Sequence, residues 1–311
     1  MKFLIWPLLL ILTSAHAHSF EDAPFKPAQL SALITEASLD EISGIASSRL
    51  SENRYWVHDD SPRPAELQAI DESGKQLVRL RIEGVRAIDW EDIASHSDAG
   101  KPWLLIGDIG DNAGVRKDYE LIVIEEPELS AKAGVQSIKP AWRLRFRYPD
   151  GAHDVEAMAV DVQQRQVLLI NKHPPLAVYT LPLGPASTNT NTLVATKLLE
   201  LSSIPQPDAN ERKARYPSAR FGGSPTGLDI DAAGKRAILL TYRDIWLFNR
   251  KPGESWKQAF SRKPKRISLP PLAQAEAIGF DRNGQSIMVS GERLPAPLLK
   301  LEPLIDDGSG E

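Results

Sequence analysis

Three glutamates recur in one local setting. Glu91-Asp92-Ile93-Ala94, Glu156-Ala157-Met158-Ala159 and Glu276-Ala277-Ile278-Gly279 each set an acid before a small or acidic residue, a large apolar one and again a small or acidic one. Ser43-Gly44-Ile45-Ala46 and Thr226-Gly227-Leu228-Asp229 follow the same pattern with a hydroxyl in place of the acid. If the segments are related by symmetry, the three carboxylates converge, and converging carboxylates cannot all stay ionised without a counter-charge. Oxygen ligands on flexible turns suit calcium, and less well magnesium. The turn Gly107-Asp108-Ile109-Gly110-Asp111-Asn112 adds two carboxylates, an amide and free carbonyls. Glu91, Glu276, Asp108, Asp111 and Asn112 are therefore the expected ligands of a divalent cation, calcium first. The spacing is not that of an EF-hand, whose loop ends in a bidentate glutamate. A plainer reading has the glutamates bonding backbone amides between neighbouring units, and Asp108 to Asn112 serving only as a tight turn.

Other residues extend the chemistry. His58 precedes Asp59 and Asp60, and a carboxylate neighbour raises the basicity of an imidazole. His58 and Glu156 are thus the expected proton carriers if the site hydrolyses a bond; a histidine capping a strand end is the bland alternative. Asp59, Arg116, Lys172, Arg243 and Glu292 are expected to contact a ligand. Ser202 to Ser224 is a long irregular stretch carrying Arg212, Lys213, Arg215 and Arg220. Such a stretch is commonly functional or disordered, and a basic flap over a ring of acids suits a small polar or anionic ligand bridged by a cation. The rival readings are a metal-assisted hydrolase of phosphate esters or glycosides, and a protein-interaction scaffold, which would carry an exposed apolar patch.

The elements that must position these groups are strands. Tyr55-Trp56-Val57, Trp103 to Ile106, Leu121 to Ile124, Val167 to Ile170 and Ala237 to Leu240 are short β-rich runs, separated by turns such as Glu72-Ser73-Gly74-Lys75 and Arg282-Asn283-Gly284-Gln285. Twenty-four prolines argue against long helices. The glutamate-containing segments and their two relatives start 48, 65, 70 and 50 residues apart, which are the intervals of propeller blades with two loop-bearing members. The expectation is an all-β chain, a β-propeller of five blades, with six possible given the two long intervals, closed by a strand from Leu30 to Thr35. A β-sandwich is the alternative. In the second blade, strands are expected to begin near Pro102, Tyr119 and Ile138, the last carrying the alternating Trp142-Arg143-Leu144-Arg145-Phe146. Antiparallel meanders bring the inner-strand starts (Ser43, Glu91, Glu156, Thr226, Glu276) and the second-strand ends (His58 to Ser61, Asp108, Asn171 to His173, Thr241 to Arg243, Gly291 to Arg293) onto one rim. Trp56 and Trp90 alternate away from their polar neighbours and belong to the core.

Composition bounds the rest. The 311 residues are 42% hydrophobic with a net charge of -4, which gives no bulk attraction to nucleic acid or anionic lipid. There are no cysteines, so disulfides and thiolate sites are excluded. Lys2, the apolar run Phe3 to Leu12 and Ala15-His16-Ala17 make residues 1–17 a signal peptide. That run is too short to span a bilayer, and no later stretch is long and apolar enough. Residues 18–305 then form one propeller domain and 306–311 a disordered tail, in a protein that is periplasmic or secreted.

His58-Asp59-Asp60-Ser61, Asp89-Trp90-Glu91-Asp92-Ile93-Ala94, Gly107 to Asn112, Tyr148-Pro149-Asp150-Gly151 with Asp154-Val155-Glu156-Ala157, and Glu276-Ala277-Ile278 resemble a group of exported bacterial β-propellers. The group is distantly similar to the propellers labelled esterase-like activity of phytase and to the SdiA-regulated (YjiK/CarP-type) propellers, which are associated with calcium. The resemblance runs from about Glu41 to Glu292 and implies a fold and a cation, not a reaction. Asp59 stands where the group has Asn, and Thr226 where other repeats have an acid.

Overall fold

A computed structural model describes residues 23–60, 63–129, 134–184 and 192–304. The expected leader at 1–17 and tail at 306–311 lie outside the described residues.

After β1 (Gln29–Ile34), the first blade contains β2 (Ile42–Ser47), β3 (Arg54–Asp59), β4 (Glu66–Asp71) and β5 (Gln76–Ile82). The second blade begins with β6 (Trp90–Asp98), β7 (Lys101–Asp108) and β8 (Tyr119–Glu125). Then come β9 (Val135–Ile138) and β10 (Trp142–Arg147), of which only β10 belongs to the second blade. The third blade has β11 (Val155–Asp161), β12 (Gln166–Asn171) and β13 (Ala177–Pro182); β14 (Leu193–Val194) precedes its last strand, β15 (Thr196–Glu200). The fourth has β16 (Pro225–Ile230), β17 (Arg236–Thr241), β18 (Asp244–Asn249) and β19 (Lys265–Ser268). The fifth has β20 (Ala275–Phe280), β21 (Ile287–Gly291) and β22 (Ala296–Leu301), and β1 pairs antiparallel with β22 as its outer strand. The innermost strands β2, β6, β11, β16 and β20 contact one another in a closed ring. The fold is a five-bladed propeller whose fifth sheet joins the two ends of the chain.

The two long intervals are excursions. The last strand of the second blade, expected to begin near Ile138 and to carry Trp142 to Phe146, is β10, and Val135–Ile138 just before it is a separate strand. That strand pairs in parallel with β5 and covers the outer edge of the first blade. Leu193–Val194 does the same for β10. The second long interval also holds the stretch from Ser202 to Ser224, which is compact here, with a 3-10 turn at Glu211–Lys213 and a single helical turn at Pro217–Arg220.

Blades pack face to face, so the inner strands are buried on both sides, whereas outer strands such as β5 and β10 alternate buried and exposed residues. In β7, Leu105 joins the cluster shared with the third blade, while Leu104 and Ile106 join the cluster shared with the first. Trp56 and Trp90 lie in that same first–second cluster, at 0% and 1% exposure. Near the axis only small residues fit. A Cβ on Gly227 would stand 3.0 Å from Ile278 Cγ2, and one on Gly279 would stand 2.8 Å from the carbonyl oxygen of Ile45.

Candidate cation site at the propeller mouth

All five inner hairpins slip register at the same point: between Ile42 and Gly44, Trp90 and Asp92, Val155 and Ala157, Pro225 and Gly227, and Ala275 and Ala277. The extra residue in each bulge is Ser43, Glu91, Glu156, Thr226 or Glu276. A bulge turns a side chain out of the strand's alternation, so the fivefold repeat marks five polar side chains re-aimed at one end of the axis. Opposite them lie the ends of the second strands, with Asp59 paired to Ile42, Asp108 to Trp90, Asn171 to Val155, Thr241 to Pro225 and Gly291 to Ala275.

Glu91 and Glu156 meet. Oxygens of Glu91, Asp154 and Glu156 lie within 4.8 Å of one another, and so do oxygens of Asp60, Asp89 and Glu91. Glu91, Glu156 and Asp154 are buried, at 4%, 5% and 7% exposure, whereas Asp60 and Asp89 are half-buried and open the cluster to solvent. Ser43 Oγ donates to the carbonyl of Glu91 at 2.8 Å and approaches Oε2 at 3.4 Å, while Glu91 Oε1 is buried with no hydrogen-bond partner. Asp154 Oδ1 accepts the amide of Asp111 at 2.8 Å; its Oδ2 makes no hydrogen bond, although His173 Nε2 stands 3.2 Å away.

The cluster carries more negative charge than its surroundings balance. Burial, and then Glu156, Asp60 and Asp89, push the Glu91 carboxyl well above its usual range. Burial does the same to Glu156, against the pull of Lys172. Burial and Asp154 push Asp89 up to about 6. Lys172 bonds Glu156, and its ammonium lies 5.9 Å from the centre of the Tyr242 ring. Burial works against the Lys172 charge, but Glu156 and its neighbours hold the amine above its ordinary value.

Glu276 belongs to a neighbouring set. It accepts from the Tyr242 hydroxyl at 2.7 Å and from Gln274 Nε2 at 3.2 Å. Burial, and then a hydrogen bond with Glu276, push Glu292 up to about 9. The three glutamates therefore share one mouth, but Glu276 falls outside both groups that could hold an ion.

The ligands expected from the glycine-rich turn are otherwise engaged. Asp108 accepts the amides of Ile88 and Asp89 at 3.0 and 3.3 Å and pairs with Arg116 at 2.6 Å. Asp111 accepts the amides of Val115 and Arg116, both at 2.9 Å, and the Tyr119 hydroxyl at 3.0 Å. Asn112 is exposed. Arg116 is itself tied to the Gly110 carbonyl at 2.7 Å. The turn reaches the cluster through Gly110 instead, where a Cβ would strike Glu91 Oε1 and come within 2.6 Å of Asp89 Oδ2.

His58 is fully buried, edge-on to Trp90, with Nε2 against Gly44. Burial lowers it to about 4, so it is neutral at physiological pH. Asp59 is half-buried, and burial with Asp40 raises it to about 7. Arg243 holds the basic stretch onto this rim, pairing with Glu211 at 2.9 Å and donating to the Ser218 carbonyl at 3.1 Å.

Asp60, Asp89 and Asp154 were not expected as ligands. A pattern could have found two of them. Asp89-Trp90-Glu91 and Asp154-Val155-Glu156 place an acid two residues before the bulged glutamate. The bracing assigned to the glutamates belongs to other acids. Asp92 accepts the amides of Ile93 (2.8 Å), Met158 (2.8 Å) and Leu228 (3.1 Å), linking three inner strands. Asp229 accepts those of Ile230 and Phe280, both at 2.8 Å.

At the other end of the axis lies a cavity of about 190 Å³ lined by Arg49, Ser95, His96, Asp161 and Asp231. Its acids already have cations: Asp231 pairs with Arg236 at 2.8 Å and Asp161 with Arg250 at 3.2 Å. The carboxylate mouth, with acids in excess, is the stronger candidate.

No protein-family model matches the chain, and no curated protein matches it. Among solved structures it is similar to a chain of the nidogen/laminin complex, with 12% identity, a TM-score of 0.41, and coverage of 80% of this chain and 72% of that one. A likeness that loose carries no argument about function.

Proposed function

We propose that the protein is an exported propeller that holds a divalent cation, calcium, in the mouth formed by Asp60, Asp89 and Glu91, and through it binds a small polar or anionic ligand. The observation that carries this reading is Glu91 Oε1, buried without a partner among converging carboxylates. Leaving a buried anionic oxygen unpaired is costly, and a cation removes that cost. An all-oxygen set partly open to solvent suits calcium, which completes its shell with water or ligand oxygens. The motif resemblance to calcium-associated propellers points the same way. The exposed Lys213, Arg215 and Arg220, held on this rim through Arg243, supply charge for an anion. The leader-like residues 1–17 support export to the periplasm or beyond.

Hydrolysis has weaker support. Glu156 is bonded to Lys172 and His58 is sealed beneath Gly44, so neither expected proton carrier faces a substrate. The test is elemental analysis of the purified native protein with calorimetric titration of the chelator-treated form. Bound calcium, or saturable uptake at up to millimolar concentration, is expected. Absence of both overturns the proposal.

A further inference from the structure

We infer that Lys172 permanently occupies the second carboxylate group, so that the mouth takes one divalent cation where its acids could hold two. The inference rests on the cation reading above and adds to it which of the two groups the ion enters and why the count stops at one.

The two groups share Glu91. In the Glu91–Asp154–Glu156 group all three acids are buried, and the Lys172 ammonium is bonded to Glu156 inside it. The Lys172 side chain is only 15% exposed, with the Tyr242 ring on its far side at 5.9 Å. Tyr242 is in turn fixed by its hydroxyl on Glu276 at 2.7 Å. A lysine is normally a mobile, hydrated point charge; this one is desolvated and clamped between an acid and an aromatic face. A metal ion on the same oxygens would meet the like charge of an amine held by Glu156 and the Tyr242 ring.

The Asp60–Asp89–Glu91 group is differently built. Glu91 Oε1 and Asp89 Oδ2 both reach into the space that a side chain on Gly110 would fill, so the glycine lets these two oxygens converge. Two of its acids are half-buried, which gives an ion an entry path. The ion therefore sits on the Asp89 side, with Lys172 on the other side of Glu91. A bound anion would meet a metal ion and an ammonium in fixed order.

Calcium stoichiometry, read by native mass spectrometry and titration calorimetry on the full mature chain, tests this. Wild type should take one ion. Lys172→Met, which keeps the stem and removes the charge, should take two, and adding Asp154→Asn to it should restore one. Asp89→Asn, which removes a charge from the ligand set, should weaken the single wild-type site by about tenfold or more, since losing even an outer-shell partner costs about that much, and by more than Asp154→Asn does. Because Asp154→Asn keeps the oxygen that accepts the Asp111 amide, this comparison stands even if Lys172→Met does not fold. Two ions in wild type, one in folded Lys172→Met, or a larger loss from Asp154→Asn than from Asp89→Asn would overturn the inference and leave the cation reading intact. No ion in wild type would instead remove the cation reading.

Discussion

Replacing Glu91 by glutamine should produce a crossover. The change keeps shape and removes one charge from both overlapping groups, whose oxygens lie within 4.8 Å of each other. Without metal, Glu91 is buried beside Glu156, Asp60 and Asp89, which push its carboxyl well above the usual range. Neutralising it removes that repulsion, so the chelated variant should melt above the chelated wild type. With calcium the order should reverse. Sites on extracellular modules bind at about 10⁻⁴ to 10⁻³ M. At ~5 mM calcium and a dissociation constant of ~0.5 mM, linkage supplies about 1.4 kcal/mol to wild type. At about 2.1 cal/mol/K of unfolding entropy per residue, a propeller of roughly 280 residues would rise by about 2 °C. The variant, whose neutral amide replaces the carboxylate that both groups share, should rise by less than about 1 °C. Scanning calorimetry with chelator and with calcium reads both effects. An equal calcium-induced rise in the two proteins, or a chelated variant that melts below chelated wild type, would refute the reasoning.

Burial raises Asp89 to about 6, and burial with Glu276 raises Glu292 to about 9. Acids whose folded pKa lies above the unfolded value bind more protons when folded, so their contribution is complete at low pH and is lost as pH rises through the folded values. Metal-free melting temperature should therefore fall between about pH 5 and 9, more steeply than with calcium present; a rise across that window would contradict the assignment. At the axis, Asp92→Ala orphans the buried amides of Met158 and Leu228. At about 1–3 kcal/mol for each, it should cost about 2–6 kcal/mol. Asp92→Asn, which can keep an oxygen toward both amides, should cost markedly less. Denaturant titration measures both, and equal losses would show that Asp92 does not brace the ring through those amides.

The architecture was legible because it is written in local patterns. Small residues beside the axis, apolar runs buried on both faces, and turn sequences at blade intervals depend on each blade's own geometry. The rim followed as well, since an antiparallel meander returns its strand ends to the same side. The Val135–Ile138 excursion was illegible because its pairing is set by an open strand edge in another blade, far away in sequence. The ligand set was half legible. Glu91 and Glu156 stood out by type and position, whereas only the Asp-x-Glu spacing sets Asp89 and Asp154 apart from Asp108 and Asp111. What separates them in the fold is which backbone amides each carboxylate meets. Asp108 meets the amides of Ile88 and Asp89 across the hairpin and Asp111 meets those of Val115 and Arg116, whereas Asp89 and Asp154 face a shared glutamate.

From the chain alone came the number of blades, the closing strand, the end of the molecule that gathers acids, and the expectation of a cation there. Each follows from residue spacing that repeats along the sequence. Only the folded ring decided that five bulges turn the polar residues inward, that Glu91 stands between two carboxylate groups while Glu276 stands apart, and that Lys172 lies in one of them. Those are distances across the axis between segments far apart in sequence, and they take definite values only when the last blade closes on the first.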